Sequence, residues 1–217
     1  MGSRAEKLNI AILGAGNVGG ALGRLWAAAG HDVRFGVPDP KGPRVTAALT
    51  AIQGKRRAAT NPEAVSGAEV VVLSVPWPAA EQAIRSSGDL AGKILIDCTN
   101  PLASDLKGLA VGLTTSAAEQ VAGWAKGAKV VKAFNTIGSV NFGNAQFGGQ
   151  KADGFYCGDD AAAKTVVRQL VEQAGLAPVD VGPLRNARLL EPLAMLWIDL
   201  AVTQRQGTNH AFKLLRR

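Results

Sequence analysis

Three glycines near the start of the chain have the spacing of a dinucleotide-binding loop. Gly14, Gly16 and Gly19 form a G-x-G-x-x-G pattern directly after the apolar run 10–13. In such a loop the first glycine allows a tight turn, the second lets a pyrophosphate approach the backbone, and the third lets the next helix pack on the strand. Segment 21–29 has the composition of that helix, whose free N–H groups would attract phosphate. The alternative is a tight turn without a ligand, but the context favours an NAD(P) site with contacts from Gly14, Ala15, Gly16, Asn17, Val18 and Gly19.

The second predicted strand bears on the choice between NAD and NADP. In NAD-specific sites an acidic residue at the end of this strand binds the ribose hydroxyls. Here the strand 32–37 ends at Val37, no acid follows until Asp39, and Lys41 and Arg44 come soon after. A missing acid with nearby bases favours the 2′-phosphate of NADP, with Val37, Lys41 and Arg44 as contacts. The alternative is that both bases are ordinary loop charges.

Further candidate contacts follow the later strands. A strand over 69–75 leads into a proline-rich turn, a strand over 93–97 leads to Asn100, and a strand over 129–134 leads to Asn135. The carboxyl ends of parallel strands meet at one edge of a sheet, where ligands bind. The cofactor contacts expected there are Ser74, Val75, Pro76, Trp77, Asn100 and Ala133.

Two of these contacts have plain structural alternatives. Trp77 would either form a wall of the nicotinamide pocket or cover the edge of the sheet. Asn100 would either bind the nicotinamide ribose or mark a turn, because Asn before Pro is a turn signal.

The order of the elements predicts an α/β protein of the Rossmann type. Strands that alternate with helices give a doubly wound parallel sheet with right-handed connections. Residues 1–183 would form the NAD(P)-binding domain, in which Asn61 is expected to cap a short helix. Residues 184–217 would add a small C-terminal helical part, because apolar residues recur at helical spacing over 188–203 and a further helical turn is expected over 210–215. This part would complete the substrate pocket and form a dimer interface.

The composition favours a cytoplasmic globular protein. The net charge is 24 − 17 = +7, but the basic residues are scattered and aromatic residues make up only 5%, which disfavours nucleic-acid binding. No apolar run has the length of a membrane span, and the first residues lack the apolar core of a signal peptide. Cys98 and Cys157 have no metal-ligand spacing, so we expect buried thiols and no metal site.

Several motifs occur in one order along the chain. They are Gly14-Ala15-Gly16-Asn17-Val18-Gly19, Val75-Pro76-Trp77, Ala133-Phe134-Asn135-Thr136-Ile137, Cys157-Gly158-Asp159-Asp160 and Gly182-Pro183-Leu184-Arg185-Asn186-Ala187-Arg188-Leu189-Leu190-Glu191. With these motifs the chain resembles the NADPH-dependent reductases of the deazaflavin coenzyme F420. It is also similar to the reductase domain of the STEAP metalloreductases. The resemblance covers nearly the whole chain, and the last two motifs are more specific than the glycine loop alone.

The resemblance implies a cofactor, a second substrate and a homodimer. NADP would lie on Ala15, Gly16, Asn17 and Val18, with contacts from Val75 and the loop after it. The deazaflavin would stack on the nicotinamide beside the C-terminal helix, near Asn135, Thr136, Ile137, Met195 and Trp197.

Two positions depart from the pattern of the resembled family. Val37-Pro38 stands where the family usually carries a Ser-Arg or Val-Arg pair at the 2′-phosphate. Asn135 stands where archaeal members carry a histidine.

Three functions fit these observations. The first is hydride transfer between NADP(H) and a flat acceptor, F420 or a flavin, which depends on ring orientation and requires no protein acid or base. The second is an NAD(P)-dependent dehydrogenase or reductase of a small carbonyl or hydroxy compound, which needs a proton donor. Lys132 and Asp199 are the candidate donors, but we expect Lys132 at the sheet surface and Asp199 in a helix or dimer contact. The third is a non-catalytic NAD(P)-sensing module. No residue is assigned as catalytic.

Overall fold

The computed structural model describes residues 7–50 and 52–217, without the side chains of residues 44 and 48. The strands are β1 (Asn9–Leu13), β2 (Asp32–Gly36), β3 (Arg56–Ala59), β4 (Val70–Leu73), β5 (Ile94–Asp97), β6 (Lys129–Ala133), β7 (Gln146–Phe147), β8 (Gln150–Lys151), β9 (Asp153–Gly158) and β10 (Ala177–Asp180). The α-helices are α1 (Asn17–Ala28), α2 (Pro43–Thr50), α3 (Asn61–Val65), α4 (Ala80–Arg85), α5 (Ala117–Trp124), α6 (Ala161–Gln173) and α7 (Ala187–Ile198). Within this described part of the chain, none of the helices has the length and apolar character of a membrane span.

Eight strands form one sheet in the order β10-β9-β6-β5-β4-β1-β2-β3. Strands β1 to β6 are parallel, and the chain changes direction across the sheet between β1 and β4. This confirms the Rossmann arrangement and places a ligand crevice at the carboxyl ends of β1 and β4.

The far edge of the sheet differs from the fully parallel prediction. β9 pairs antiparallel with β6, and β10 runs parallel to β9. A parallel pair needs a crossover connection, which is usually a helix. The connection between β6 and β9 instead holds a 3₁₀ turn and the short hairpin β7–β8, so the chain returns in the opposite direction.

Two apolar layers hold the helices on the sheet. Ile10 and Ile12 of β1 face α1 and α6, whereas Ala11 and Leu13 face the layer that α3, α4, α5 and α7 complete. The indole Nε1 of Trp26 on α1 donates to the carbonyl of Leu170 on α6 at 3.2 Å. Both layers therefore pack on β1, whose carboxyl end borders the crevice.

The beginnings of two helices show how the sequence sets their ends. Thr60, rather than Asn61, caps α3, and Glu63 closes the capping box by accepting from the Thr60 backbone N–H at 2.9 Å. Asp160 caps α6 by accepting from the N–H of Ala163.

The C-terminal part is less helical than predicted. After α7 comes one π-helical turn, Asp199–Thr203, and residues 204–217 contain no helix. The carboxylate of Asp153 accepts from the N–H of Leu214 and from Nζ of Lys213, both at 2.6 Å. These contacts bind the C-terminal segment to the start of β9. Residues 210–215 have no regular secondary structure, so the helical turn expected there is wrong.

Candidate functional site

The glycine loop has the geometry that the sequence predicts. Gly14 has a φ of +101°, which L side chains rarely adopt, and its N–H donates to the carbonyl of Gly36 at 3.0 Å. Ser74 Oγ donates to the carbonyls of Leu13 and Gly14, at 3.0 and 3.2 Å. The turn is therefore held in one shape by β2 and by the end of β4.

Gly16 and Gly19 have opposite surroundings. A Cβ built on Gly19 would collide with the carbonyl oxygen of Gly14 and would lie 2.5 Å from Ser74 Oγ. A Cβ built on Gly16 would meet no heavy atom within 4 Å. Gly19 thus serves the close contact of α1 with the strands, and Gly16 faces open space.

The first turn of α1 begins beside that open space. Gly16 is the N-cap residue, no side chain caps the helix, and its first turn contains no acidic residue. The leading N–H groups and the positive end of the helix dipole are therefore free to meet an anion. This arrangement fits a pyrophosphate on Gly16, Asn17 and Val18.

Three cavities meet at the loop. One of about 460 Å³ lies between the ends of β1, β2 and β4, and its walls include Gly14, Val37, Thr60, Val75, Ala79 and Gln82. A second of about 570 Å³ lies beside Ala15, Gly16, Val37, Pro38 and Asp39. A third of about 290 Å³ lies between the glycine loop and the loops after β4 and β5, with walls that include Asn17, Val18, Ser74, Val75, Pro76, Trp77, Cys98, Thr99 and Asn100. Each of the three has walls from the glycine loop, so together they are the candidate dinucleotide site.

The second cavity is where a 2′-phosphate would lie, and its described charges are few. Val37 is buried and lines it, as does Asp39, whose carboxylate accepts from the backbone N–H of Lys41 at 3.1 Å. Lys41 is exposed and is not among the described wall residues. The side chain of Arg44, the other predicted contact, lies outside what the structure describes.

An aromatic pair and an amide pair border the third cavity. Trp77 stacks on Trp124 with ring centroids 5.4 Å apart, so Trp77 both lines the third cavity and covers the neighbouring helix. Asn100 Nδ2 donates to the Asn135 carbonyl, and Asn135 Nδ2 donates to Asn100 Oδ1, each at 3.2 Å. Asn100 is therefore both a wall of the cavity and the partner of Asn135.

Ala133, a predicted cofactor contact, is fully buried in the core. It therefore supports the loop after β6 and presents no surface that a cofactor could touch.

The predicted substrate residues follow a strained turn at the end of β6. Phe134 has a φ of +64° and is held by edge-to-face contacts with the rings of Trp26 and Phe142. Asn135, Thr136 and Ile137 come next and are at most 6% exposed. Non-glycine residues in this conformation are rare and cluster at functional sites.

Met195 and Trp197 do not act as one surface. Residues two positions apart on an α-helix, such as Met195 and Trp197, lie about 200° apart around its axis. Trp197 is buried against Gly138, where an added Cβ would collide with the indole ring, and its Nε1 donates to the His210 carbonyl at 2.9 Å. Met195 is only half-buried. Of the two, Trp197 is the one that α7 places beside the segment that follows β6.

A buried ionic group was not predicted from the sequence. Lys132, predicted at the sheet surface, is fully buried, and its Nζ lies 2.9 Å from Asp97 Oδ2 and 2.9 Å from Glu191 Oε1. Burial lowers the pKa of Lys132, but the two carboxylates outweigh it and raise the pKa above its usual value. Burial raises the pKa of Glu191. Part of the signal was available, because Asp97 ends one predicted strand and Lys132 lies near the end of the next one in the chain. The structure shows that the two residues are direct partners in register.

Other titratable groups have structural roles. Cys98 and Cys157 are buried and free, as predicted, and burial raises the pKa of the Cys157 thiol to about 12. His31 is buried, with Nδ1 accepting from the N–H of Leu8 and Nε2 next to Gln173 Oε1. Asp199 accepts from the side chain of Gln204, which is a local contact. No cluster of metal-binding side chains occurs in residues 7–50 and 52–217.

Comparison with known proteins supports this description. Residues 9–101 match the family described as "NADP oxidoreductase coenzyme F420-dependent". The F420-dependent NADP reductase of Methanothermobacter thermautotrophicus is 32% identical over 212 residues, which cover 91% of each protein. Metalloreductase STEAP3 of Rattus norvegicus is 31% identical over 88% of this chain, which corresponds to 38% of its own length.

A solved structure agrees over the whole fold. A putative F420-dependent NADP reductase from Arthrobacter superposes with a TM-score of 0.87 at 32% identity, covering 96% of this chain and 100% of its own. Identity and coverage of this extent over the full length, together with the glycine loop and crevice, establish the relationship. The chain belongs to the family of F420-dependent NADP oxidoreductases.

Proposed function

We propose that the protein transfers hydride between NADP(H) and the deazaflavin coenzyme F420. The observation that carries the proposal is the open space at Gly16, next to the free N-terminus of α1, in a chain of this family. In the reducing direction a hydride and one proton convert F420 into its reduced form, and NADPH becomes NADP⁺. Ring-to-ring hydride transfer relies on orientation, so the protein's task is to hold two flat rings face to face.

As part of this proposal, the site residues have the roles that were predicted from the sequence. Ala15 to Val18 would hold the pyrophosphate, and the turn after β4 would cover the nicotinamide riboside. The deazaflavin would lie by the segment 135–137 and α7. Residues 1–183 would serve as the dinucleotide-binding domain, with 184–217 completing the acceptor site.

The burial of Lys132 argues against the carbonyl alternative. A general acid must reach the reacting oxygen, directly or through one water. The side chain of Lys132 has no exposed surface and is bound on both sides by carboxylates. Asp199, the other candidate, is occupied locally by Gln204.

The first experiment mixes the protein with NADPH and oxidised F420 and follows the visible absorbance of the deazaflavin. Rapid bleaching that requires the protein is the expected result. NADPH binding without bleaching would contradict the proposed acceptor. Oxidation of NADPH by free flavins, or by small carbonyl compounds, would then identify the acceptor class, and binding without turnover by any acceptor would indicate a sensing module.

NADP preference gives a separate prediction. Arg44→Ala and Lys41→Ala should each weaken NADPH binding roughly 10-fold while leaving NADH binding unchanged, because a charged hydrogen bond to a phosphate is worth about 1.5–3 kcal/mol. Dissociation constants for both cofactors, measured by titration of protein fluorescence, test this. Lys55→Ala is the control, since it removes an equal exposed charge from the loop before β3. Equal losses for the two cofactors would argue against a 2′-phosphate contact.

We also propose a homodimer formed through α7. Leu189 and Leu196 lie two helical turns apart on this helix and are 68% and 48% exposed, and Val202 and Val140 add 58% and 69% exposed side chains. A large exposed apolar face is typical of a protein interface. Light scattering should give twice the chain mass for the wild type and the single mass for Leu189→Glu. A monomeric wild type would contradict the proposal.

A cytoplasmic location belongs to the same proposal. It is supported by the two free cysteines and by the proposed dependence on NADPH.

A further inference from the structure

Three charged side chains meet in the interior below the nicotinamide end of the crevice. We call Asp97, Lys132 and Glu191 the buried charge cluster. Lys132 Nζ donates to a carboxylate oxygen of each acid, at 2.9 Å in both cases, and also to the carbonyl of Thr99. No member of the cluster has more than 1% of its side chain exposed.

One side of the cluster holds the loop after β5. Asp97 Oδ1 accepts from the backbone N–H of Thr99 at 2.9 Å and from its hydroxyl at 2.8 Å. With the bond from Lys132 to its carbonyl, the polar groups of Thr99 are all bound to the cluster. Thr99 and Asn100 are walls of the third cavity, where the nicotinamide riboside would lie.

The other side of the cluster holds α7 and α5. Glu191 on α7 accepts from the N–H groups of Ala117 and Ala118, at 2.9 and 3.1 Å, at the start of α5. The preceding residue, Leu190, accepts at its carbonyl from Asn135 Nδ2 at 3.2 Å. Adjacent residues of α7 are thus joined to the start of α5 and to the loop after β6, and Lys132 links Glu191 to the loop after β5.

Stability alone does not explain three charges in this position. Burying charges costs desolvation free energy, and well-packed apolar side chains of similar volume are often as stable or more so. The ammonium of Lys132 on β6 has acceptors from two other segments, β5 with its following loop and α7. Directional bonds of this kind fix the relative position of the segments, which apolar contacts do not do. Here the segments carry the two sides of the proposed active site.

We infer that Lys132 is a positioning residue that sets the separation of the two reacting rings. It does so by holding the loop 98–100, which faces the nicotinamide riboside, and α7, which faces the second substrate, in one fixed arrangement. The part of this inference that concerns the second ring rests on the proposed function, whereas the part that concerns the loop 98–100 does not.

Lys132→Met tests the inference, because methionine keeps the length of the side chain and removes its charge. We expect the dissociation constant of NADPH to rise about tenfold. We expect the rate constant of hydride transfer at saturating substrates to fall about 100-fold, the scale of a 1 Å misplacement. NADPH carrying deuterium at the transferred position should give an isotope effect that becomes temperature-dependent only in this variant, which a loss of folded protein would not produce.

Two matched variants separate positioning from general loss of an ion pair. Lys129→Met removes a lysine–aspartate pair at the other end of β6, where Nζ lies 3.2 Å from Asp160. Arg188→Met removes a separate tie between α7 and α5, the pair of Arg188 with Glu119 at 2.6 Å. Both should keep the NADPH affinity and the isotope effect of the wild type.

If Lys132→Met does not fold, the neutral variant Asp97→Asn/Lys132→Met/Glu191→Gln replaces it, because no unpaired charge is then buried. Wild-type NADPH affinity in whichever variant folds would overturn the inference. Wild-type protein that binds NADPH but does not reduce F420 would overturn the proposed function instead, and the NADPH affinities of the variants would still decide the role of Lys132 at the loop.

Discussion

Gly16→Val should abolish NADPH binding and leave the folding stability of the protein unchanged. The backbone at Gly16 has φ −79° and ψ −164°, an extended conformation that valine adopts without strain. Its side chain would enter a space that contains no heavy atom within 4 Å of the Cβ position, so nothing in the protein is displaced. If the pyrophosphate lies there, the side chain takes its place, and we expect affinity to fall at least 100-fold, or about 2.7 kcal/mol.

Gly20→Ala is the matched control for this substitution. It adds a methyl group to the same helix, where the nearest atom outside the local backbone is the Ala15 carbonyl oxygen at 4.0 Å. Isothermal titration with NADPH and a thermal melt should both resemble the wild type. Undiminished NADPH affinity in Gly16→Val would mean that the loop is not the pyrophosphate site.

The geometry of the glycine loop could be predicted because its signals are local. The role of each glycine depends on residues within a few positions, so spacing alone identified Gly14, Gly16 and Gly19 before any contact was known. The predicted edge was also right, since Ser74, Trp77 and Asn100 lie at one crevice. That follows from strand order, which the alternation of strands and helices determines.

The features that sequence reasoning missed are set by distant contacts. The antiparallel return of β9 depends on how the segment after β6 folds, and its short hairpin carries no strong pattern. The non-helical C-terminal segment is bound to Asp153, which is about 60 residues away in the chain. An apolar pattern over 210–215 could not reveal that the backbone there is bound to a carboxylate.

Lys132 shows how a default assumption fails. A lysine in a strand is usually at the surface, because burial of an unpaired ammonium is very costly. The assumption holds only if no carboxylate lies within hydrogen-bond distance. Here Asp97 is the register neighbour of Lys132, and Glu191 comes from α7. Asp97 could have been identified from the strand alignment, but Glu191 required knowledge of how α7 docks on the sheet.

Gly19→Ala should have the opposite signature to Gly16→Val, with a large loss of stability as its primary effect. The added methyl group would collide with the Gly14 carbonyl oxygen and lie 2.5 Å from Ser74 Oγ and 2.9 Å from a methyl carbon of Ile12. Two of these neighbours cannot move freely, because Gly14 is in a turn with positive φ and Ser74 Oγ is hydrogen-bonded to two carbonyls. The helix must shift away from the strand, at a cost of about 3 kcal/mol.

For a chain of this size that cost corresponds to a fall in Tm of roughly 6–12 °C. Calorimetry with and without NADPH separates the two glycines: Gly16→Val should melt like the wild type and gain nothing from NADPH, whereas Gly19→Ala should melt lower in both conditions. Ser74→Ala in the Gly19→Ala background should restore little, because the clash with the Gly14 carbonyl remains. A Gly19→Ala protein as stable as the wild type would show that α1 does not need this close approach. The assignment of Gly19 to helix packing and of Gly16 to cofactor binding would then be wrong.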